Sequence, residues 1–136
     1  MTYYEARLAR IHAQDYTHYA IAAAQRLLAE LGPGSGVIID LGCGAGDVAD
    51  VVTPAGYEYV GVDLSPSMVA LARQRRPGIR VHHGSAFDLP DAEGVRGIVA
   101  VGEVINYAGD PRAGLAGLHA WLRACRQTLS AGGVLL

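Results

Sequence analysis

The stretch "VIIDLGCGAGDVAD", residues 37–50, decides how the rest of the chain is read. Its opening, with Gly36 ahead of it, is too short and too rich in β-branched residues for a helix, and predicts a strand buried on both faces. Its second half sets Gly42, Gly44 and Gly46 at alternate positions, with Asp40 before them and Asp47 and Asp50 after. A glycine-rich turn from a first strand into a helix belongs at the carboxyl edge of an open α/β sheet, where such folds hold ligands. Glycine lacks a Cβ, so the turn takes tight dihedrals and lets a ligand lie against the backbone. A nucleotide-like ligand is implied.

Outward from this turn, strand and helix signals alternate. "YEYVGVD" (57–63) repeats the strand signature, and "GDVADVVTPAGY" (46–57) between the two strands is a short helical stretch ended near Pro54 and Gly56. "LSPSMVALARQRRPG" (64–78) marks a helix: Ser65 as N-cap, Pro66 at the first helical position, arginines in the last turn, Pro77-Gly78 as the stop. "IRVHH" (79–83) and "GIVAVGE" (97–103) are the third and fourth strand candidates. "DPRAGLAGLHAWLRACRQTLSAGG" (110–133) predicts a helix started by Asp110 and Pro111, its apolar face formed by Leu115, Leu118, Leu122, Cys125 and Leu129. Gly114 and Gly117 would weaken that helix by about 1 kcal/mol each relative to alanine. Upstream, Ile21, Ala24, Leu28 and Leu31 give a leading helix over roughly 16–31, closed by "GPGSG".

Alternating strands and helices predict an α/β fold, a doubly wound, mostly parallel sheet with helices on both faces. Residues 1–34 are expected to form an N-terminal helical segment and 35–136 the ligand-binding domain. "GGVLL" at 132–136 begins a fifth strand, so the domain is expected to lack its last strands and to present a sheet edge prone to self-association.

Composition narrows the function classes. A chain of 136 residues, 51% of them hydrophobic, suits one domain, and a net charge of −2 leaves no footprint for nucleic acid or an anionic membrane. All eleven basic residues are arginine, which excludes a Schiff-base lysine and a Walker-type phosphate loop. Cys43 and Cys125 form no C-x-x-C pair, the start has no apolar signal core, and no segment has the continuous apolar length of a membrane span. The expected location is the cytoplasm.

A dinucleotide site would read G-x-G-x-x-G, with the pyrophosphate on the helix N-terminus. Here Asp47 stands where the third glycine belongs. Asp40 and Asp47 on either side of the turn would repel a pyrophosphate and favour a ligand carrying an ammonium or sulfonium. A nicotinamide oxidoreductase is disfavoured on both counts.

"DLGCGAG" (40–46) followed by "VGVDLSPSMVALAR" (60–73) resembles the class I S-adenosylmethionine-dependent methyltransferases, in particular the small-molecule group with an N-terminal helical lid. The resemblance runs from about Ala20 to the last residue. It implies a Rossmann-like methyltransferase fold with S-adenosylmethionine as cofactor. Asp40 and the backbone of Gly42, Cys43, Gly44 and Gly46 would surround the methionine moiety, and Asp63 would accept hydrogen bonds from both ribose hydroxyls. One carboxylate does match the two donors of a vicinal diol, although the same acid position also serves NAD enzymes. Leu64 and Met68 would pack on the adenine, Met68 equally serving as a core residue. "HGSAFDLP" (83–90) resembles the adenine-edge loop, where the family often has an acid after the glycine and this chain has Ser85. Backbone groups of Ala86 and Phe87 would read the adenine rim, with the Phe87 ring either stacking or in the core, and Asp88 a turn residue. Gly102 and Glu103 resemble the family's cofactor-lining pair.

Methyl transfer from a sulfonium is an in-line displacement that alignment alone can promote, so no catalytic residue is assigned. Candidate bases are His12, His18, His119 and Glu103, the histidines also reading as surface or structural groups. "GEVINY" (102–107) lacks the Asn/Asp-Pro-Pro-aromatic turn of enzymes that methylate base or glutamine nitrogens, which favours a small-molecule acceptor. Asn106 and Tyr107 read as gate or loop-packing residues. Tyr16 or Tyr19 would suit a cation–π contact with a sulfonium or the wet edge of a helix. Arg73, Arg75, Arg76 and Arg80 read as helix-dipole partners and Cys43 as a packing residue. No metal-ligand spacing is present, and His82 and His83 point to opposite faces of their strand. A protein that binds the cofactor without transferring from it is the remaining alternative.

Overall fold

The structure, a computed structural model, describes residues 3–136. Strand β1 (Val37–Leu41) is buried along its whole length because it lies at the centre of a five-stranded sheet. On one side it pairs with β2 (Glu58–Asp63), which pairs in turn with β3 (Val81–His83). On the other it pairs with β4 (Val95–Val99), and β5 (Leu129–Leu135) is outermost. Every pairing is parallel, in the order β3-β2-β1-β4-β5. The chain therefore winds outward from β1 through β3, then returns to lay β4 on the opposite flank of β1. That reversal opens a crevice at the carboxyl ends of β1 and β4, the place where doubly wound sheets bind ligands.

Successive side chains of a strand point to opposite faces, and β1 uses this to build two cores. Ile38 packs with Ala24 and Leu27 of α1 (Tyr3–Leu31), with Ala49 and Val52 of α2 (Ala49–Val52), and with Val69 and Ala72 of α3 (Pro66–Arg75). Ile39 and Leu41 pack on the other face with Trp121 and Cys125 of α4 (Leu115–Thr128). Gly97 of β4 lets α1 settle on the sheet: a Cβ there would stand 2.9 Å from Leu27 Cδ2 and 3.0 Å from Ile38 Cδ1. The doubly wound α/β fold is the one expected. Among the described residues no helix is long and apolar enough to cross a membrane.

Helix α3 is built as its sequence predicts: Ser65 Oγ caps it by accepting from Met68 N–H at 3.3 Å, and Pro66 stands in its first turn. Several boundaries differ from expectation. Helix α1 starts at Tyr3 instead of near residue 16, because Ala9 and Ala13 find buried partners of their own. Strand β4 ends at Val99, the partner of Asp40, because β1 turns away after Leu41 and leaves residues 100–103 no neighbour on that side. Helix α4 starts at Leu115 and not at Asp110, whose carboxylate is held by Ser85 and by Arg112 N–H. Gly114 is thus the N-cap at φ +133° and lies outside the helix it was expected to weaken. Strand β5 begins directly at the end of α4, three residues before the expected start. The apolar face of α4 is also rotated from the leucine stripe: Trp121 and Cys125 are buried, whereas Leu115 and Leu122 are 71% and 44% exposed. Trp121 sets that rotation by donating its indole N–H to Ala86 O at 3.0 Å.

Candidate functional site

The turn after β1 is tied to the end of β2. Gly42 and Cys43 N–H both donate to Val62 O, at 2.8 and 3.0 Å, and Gly44 N–H donates to Asp63 Oδ2 at 2.7 Å. Ser65 N–H donates to Asp63 Oδ1 at 2.8 Å, so each carboxylate oxygen holds one backbone donor and keeps acceptor capacity. Asp63 is half-buried at the carboxyl end of β2. Burial pushes its pKa upward, opposed by the two N–H bonds and by the charges of His12 and His83.

Asp40 lies beneath the turn, 4% exposed, and accepts from Tyr59 Oη–H at 2.8 Å. Burial, helped by the neighbouring charges of Asp63 and Asp47 and opposed by the Tyr59 hydrogen bond, pushes its carboxyl up to about 7. Cys43 Sγ packs inward, 2.8 Å from where a Cβ on Gly61 would stand. Burial and then the charges of Asp40 and Asp63 drive its pKa far up, so the thiol stays protonated and acts as the packing group expected of it.

Asp47 is not the bare carboxylate the sequence suggested. Arg76, at the end of α3, donates from Nη2 to Asp47 Oδ1 at 2.7 Å, from Nη1 to Ala45 O at 2.6 Å and from Nε to Asp50 Oδ1 at 2.8 Å. Thr17 Oγ1–H on α1 donates to Asp47 Oδ2 at 3.0 Å. With Asp47 paired to Arg76 and Asp40 titrating near neutrality, Asp63 is the least buried of Asp40, Asp47 and Asp63; the register of the turn, more than a ring of charge, separates it from a dinucleotide site. Arg76 is accordingly a tie across the turn and more than a helix-dipole partner.

Two glycines of the turn also work differently from expectation. A Cβ on Gly42 (φ +71°) would meet Val104 Cγ2 at 2.5 Å, and one on Gly46 (φ +84°) would meet Ile79 Cδ1 at 2.8 Å. Their bareness admits the protein's own side chains on that side. The opposite side stays open, since Gly42 is exposed and Gly44 half-buried.

Helix α1 lies across this arrangement. Ala9 and Ala13 pack with Ala45, Met68 and Leu71, so Met68 does serve in the core; Leu64 is 36% exposed. His12 stacks on Tyr16 with ring centroids 4.3 Å apart, and Tyr16 and Tyr19 are 49% and 56% exposed on the wet flank of the helix. His18 lies beside Tyr19 at 4.0 Å between centroids.

The loop after β3 is more internally bonded than expected. Ser85 Oγ–H donates to Asp110, Phe87 N–H donates to Ser85 Oγ at 3.0 Å, and Ala86 O accepts from Trp121. Phe87 N–H is thus withdrawn from reading a ligand, while Ala86 O has one of its two lone pairs engaged. The Phe87 ring, half-buried, carries the Arg112 guanidinium 5.7 Å from its centroid, and Asp88 forms an exposed two-bond pair with Arg112 at 2.7 and 2.8 Å. Gly102 and Glu103 sit in an exposed bend and not at a strand end, which leaves Glu103 less firmly positioned than expected. Tyr107 is 53% exposed and Asn106 is exposed beside it. His119 is exposed on α4, on the far face of the sheet from α1, and is not brought to the turn. Sequence reasoning missed Tyr59, Arg76 and Asp110 as parts of this region; their partners lie 19 to 29 residues away, and no local pattern marks them.

The family model described as "Methyltransferase domain" matches residues 38–133. The chain belongs to that family. It is 33% identical over 87 residues to the demethylmenaquinone methyltransferase of Chlorobaculum parvum, covering 63% of this chain and 36% of that one. It is 29% identical over 128 residues to a ubiquinone biosynthesis O-methyltransferase of Cereibacter sphaeroides, covering 90% of this chain and 49% of that one. Among solved structures, the S-adenosylmethionine-bound amino pentose methyltransferase of Micromonospora echinaspora superposes with a TM-score of 0.71 at 28% identity, over 99% of this chain and 55% of the other. This methyltransferase-family chain thus spans half or less of the length of the curated relatives it matches.

Proposed function

We propose that the chain is the S-adenosylmethionine-binding part of a methyltransferase that acts on a small molecule. The observation that carries this reading is Asp63, held by Gly44 and Ser65 N–H at the carboxyl end of β2, next to β1 and its glycine turn, with acceptor capacity left on both oxygens. Such a carboxylate fits the paired hydroxyls of a ribose. In this reading the open side of Gly42, Cys43, Gly44 and Gly46, with Asp40 beneath, takes the methionine moiety. Leu64 and, through its Cε, Met68 border the adenine; Ser85, Ala86 N–H and the Phe87 ring lie along its edge; Gly102 and Glu103 line the far side. When bound, the cofactor supplies a methyl group on a sulfonium. The chain's contribution is to orient that group and exclude water from it. Residues 1–34 act as a lid on the domain of 35–136: Ala24 and Leu27 anchor α1 in the core, and its first half lies over the turn through Ala9, Ala13 and Thr17.

The acceptor is a small molecule because the segment after β4 lacks the amide-and-proline turn that holds base or glutamine nitrogens, and because the relatives' names speak of demethylmenaquinone, ubiquinone biosynthesis and an amino pentose. The cytoplasm is the proposed location, which suits two free, buried cysteines. The β5 edge is proposed to associate with a second copy.

Calorimetric titration of the 136-residue chain with S-adenosylhomocysteine and, separately, NADH tests the core of this reading. S-adenosylhomocysteine is expected to bind and Asp63→Ala to weaken it at least tenfold; preferential binding of NADH would overturn the assignment.

A further inference from the structure

The two faces of the sheet are covered unequally. Helices α1, α2 and α3 lie on one face, whereas α4 is the one helix among the described residues on the other, because residues 84–94 join β3 to β4 without a helix. That connection runs over the α4 side, where Phe87, Leu89 and Ala92 pack against the cluster that holds Trp121 and Cys125. Between it and α4 lies a groove of about 640 Å3, lined by Phe87, Trp121 and the small residues Gly117, Ala120 and Ala124. Leu115 borders the groove and is 71% exposed.

Charge on this layer is divided. No acidic side chain follows Asp110, and α4 presents Arg123 and Arg126 to the outside. The connection presents Asp91 and Glu93, both exposed. None of these four has an ion-pair partner among the described residues, in contrast to Arg112 and Asp88, which pair with one another. Glu93 and Arg126 stand just ahead of Val95 and Leu129, which pair across β4 and β5, so the acidic and basic groups lie toward the same edge of the sheet. A half-turn about an axis parallel to α4, set between helix and connection, exchanges the two and lays each copy's basic helix along the other's acidic connection. Such a surface is complementary to itself, as a two-fold dimer requires.

We infer that the α4 face is an interface with a second copy of this chain. Arg123 and Arg126 of each copy face Asp91 and Glu93 of the other, and Leu115 of each copy enters the other's groove, which takes a largely exposed leucine out of water. A layer that was basic throughout would suit an acidic partner of another kind; the acidic connection beside the helix is what fits a second copy. Complementary charge fixes the register of the two faces, and the apolar groove supplies the attraction. This surface stacks two layers and is separate from the β5 edge, which would add strands to the sheet.

The test is sedimentation equilibrium of the 136-residue chain and of two charge-reversed variants, Arg123→Glu with Arg126→Glu, and Asp91→Arg with Glu93→Arg. All four positions are exposed, and circular dichroism checks that the fold is kept. The unaltered chain is expected to form a reversible dimer. Each variant alone should dimerise at least about tenfold more weakly, because like charges then face one another across the two-fold. Mixed in equal amounts, the two variants should pair with each other at close to the strength of the unaltered chain, since every reversed contact then meets its opposite. Leu115→Ser should weaken the dimer by about tenfold without touching a charge. Variants that associate as the unaltered chain does would show that the β5 edge alone is used, and would overturn the inference. So would a mixture that pairs no more tightly than either variant, or an unaltered chain that is monomeric at every concentration. Should one charge-reversed variant fail to fold, the other variant and Leu115→Ser decide: an unchanged dimer in both overturns the proposal.

Discussion

At the scale of single residues, the region is governed by carboxylates whose surroundings differ. Asp40 is buried with the Tyr59 hydroxyl against it, and its carboxyl titrates near 7 instead of 3.8. A carboxyl raised in the folded state stabilises the fold while protonated; that contribution is full below about 3.8 and is lost as pH rises through about 7. Asp40→Asn keeps the size and an acceptor for Tyr59 while removing the charge. The variant should therefore be more stable than the parent by a few kcal/mol at pH 8, at about 1.4 kcal/mol per tenfold in proton affinity, with the gap closing by pH 4 to 5. Urea melts at the two pH values check this, and an equal gap at both would refute the assignment. Asp63 behaves in the opposite sense to substitution. Asp63→Asn must turn an NH2 toward either Gly44 or Ser65 N–H, setting donor against donor, and should cost about 1–3 kcal/mol of stability together with cofactor affinity.

At the scale of elements, two contacts set the site's geometry. Arg76 binds the glycine turn, α2 and the end of α3 through Ala45 O, Asp47 and Asp50. Arg76→Met would leave Asp47, 8% exposed, without its cation, and should destabilise the fold by about 3 kcal/mol while loosening the turn. Denaturant unfolding and S-adenosylhomocysteine titration should both register the change. A normal unfolding midpoint would mean that the tie is idle. Gly97→Val tests the seating of α1, since its added atoms fall against Leu27 and Ile38; a loss of about 1–3 kcal/mol is expected, partly recovered when Leu27→Ala is added. Helix α3 was legible because its cap and its proline act within four residues of one another. Helix α4 was misplaced at its start because Asp110, a good cap by type, is held by a partner 25 residues away.

At the scale of the molecule, the sheet has β5 at one edge, and a strand at an edge presents unpaired backbone groups to any partner of similar form. Sedimentation velocity of the 136-residue chain over a wide concentration range should show reversible self-association. A monodisperse monomer at every concentration would contradict the proposed use of this edge. The second edge, at β3, is only three residues long and shows less backbone to pair with.

The order of strands and helices, the parallel sheet, the glycine turn and the acid closing β2 could all be read from the chain alone. Each rests on hydrophobic period, glycine placement or capping, which depend on residues close in sequence. The tertiary structure alone decided which polar groups are paired. That Arg76 neutralises Asp47, that Tyr59 holds Asp40 and that Asp110 fixes Ser85 follow from which elements pack together. A hydrogen bond or an ion pair is selected by distance in space, and separations of 19 to 29 residues carry no periodic trace by which it could be foreseen.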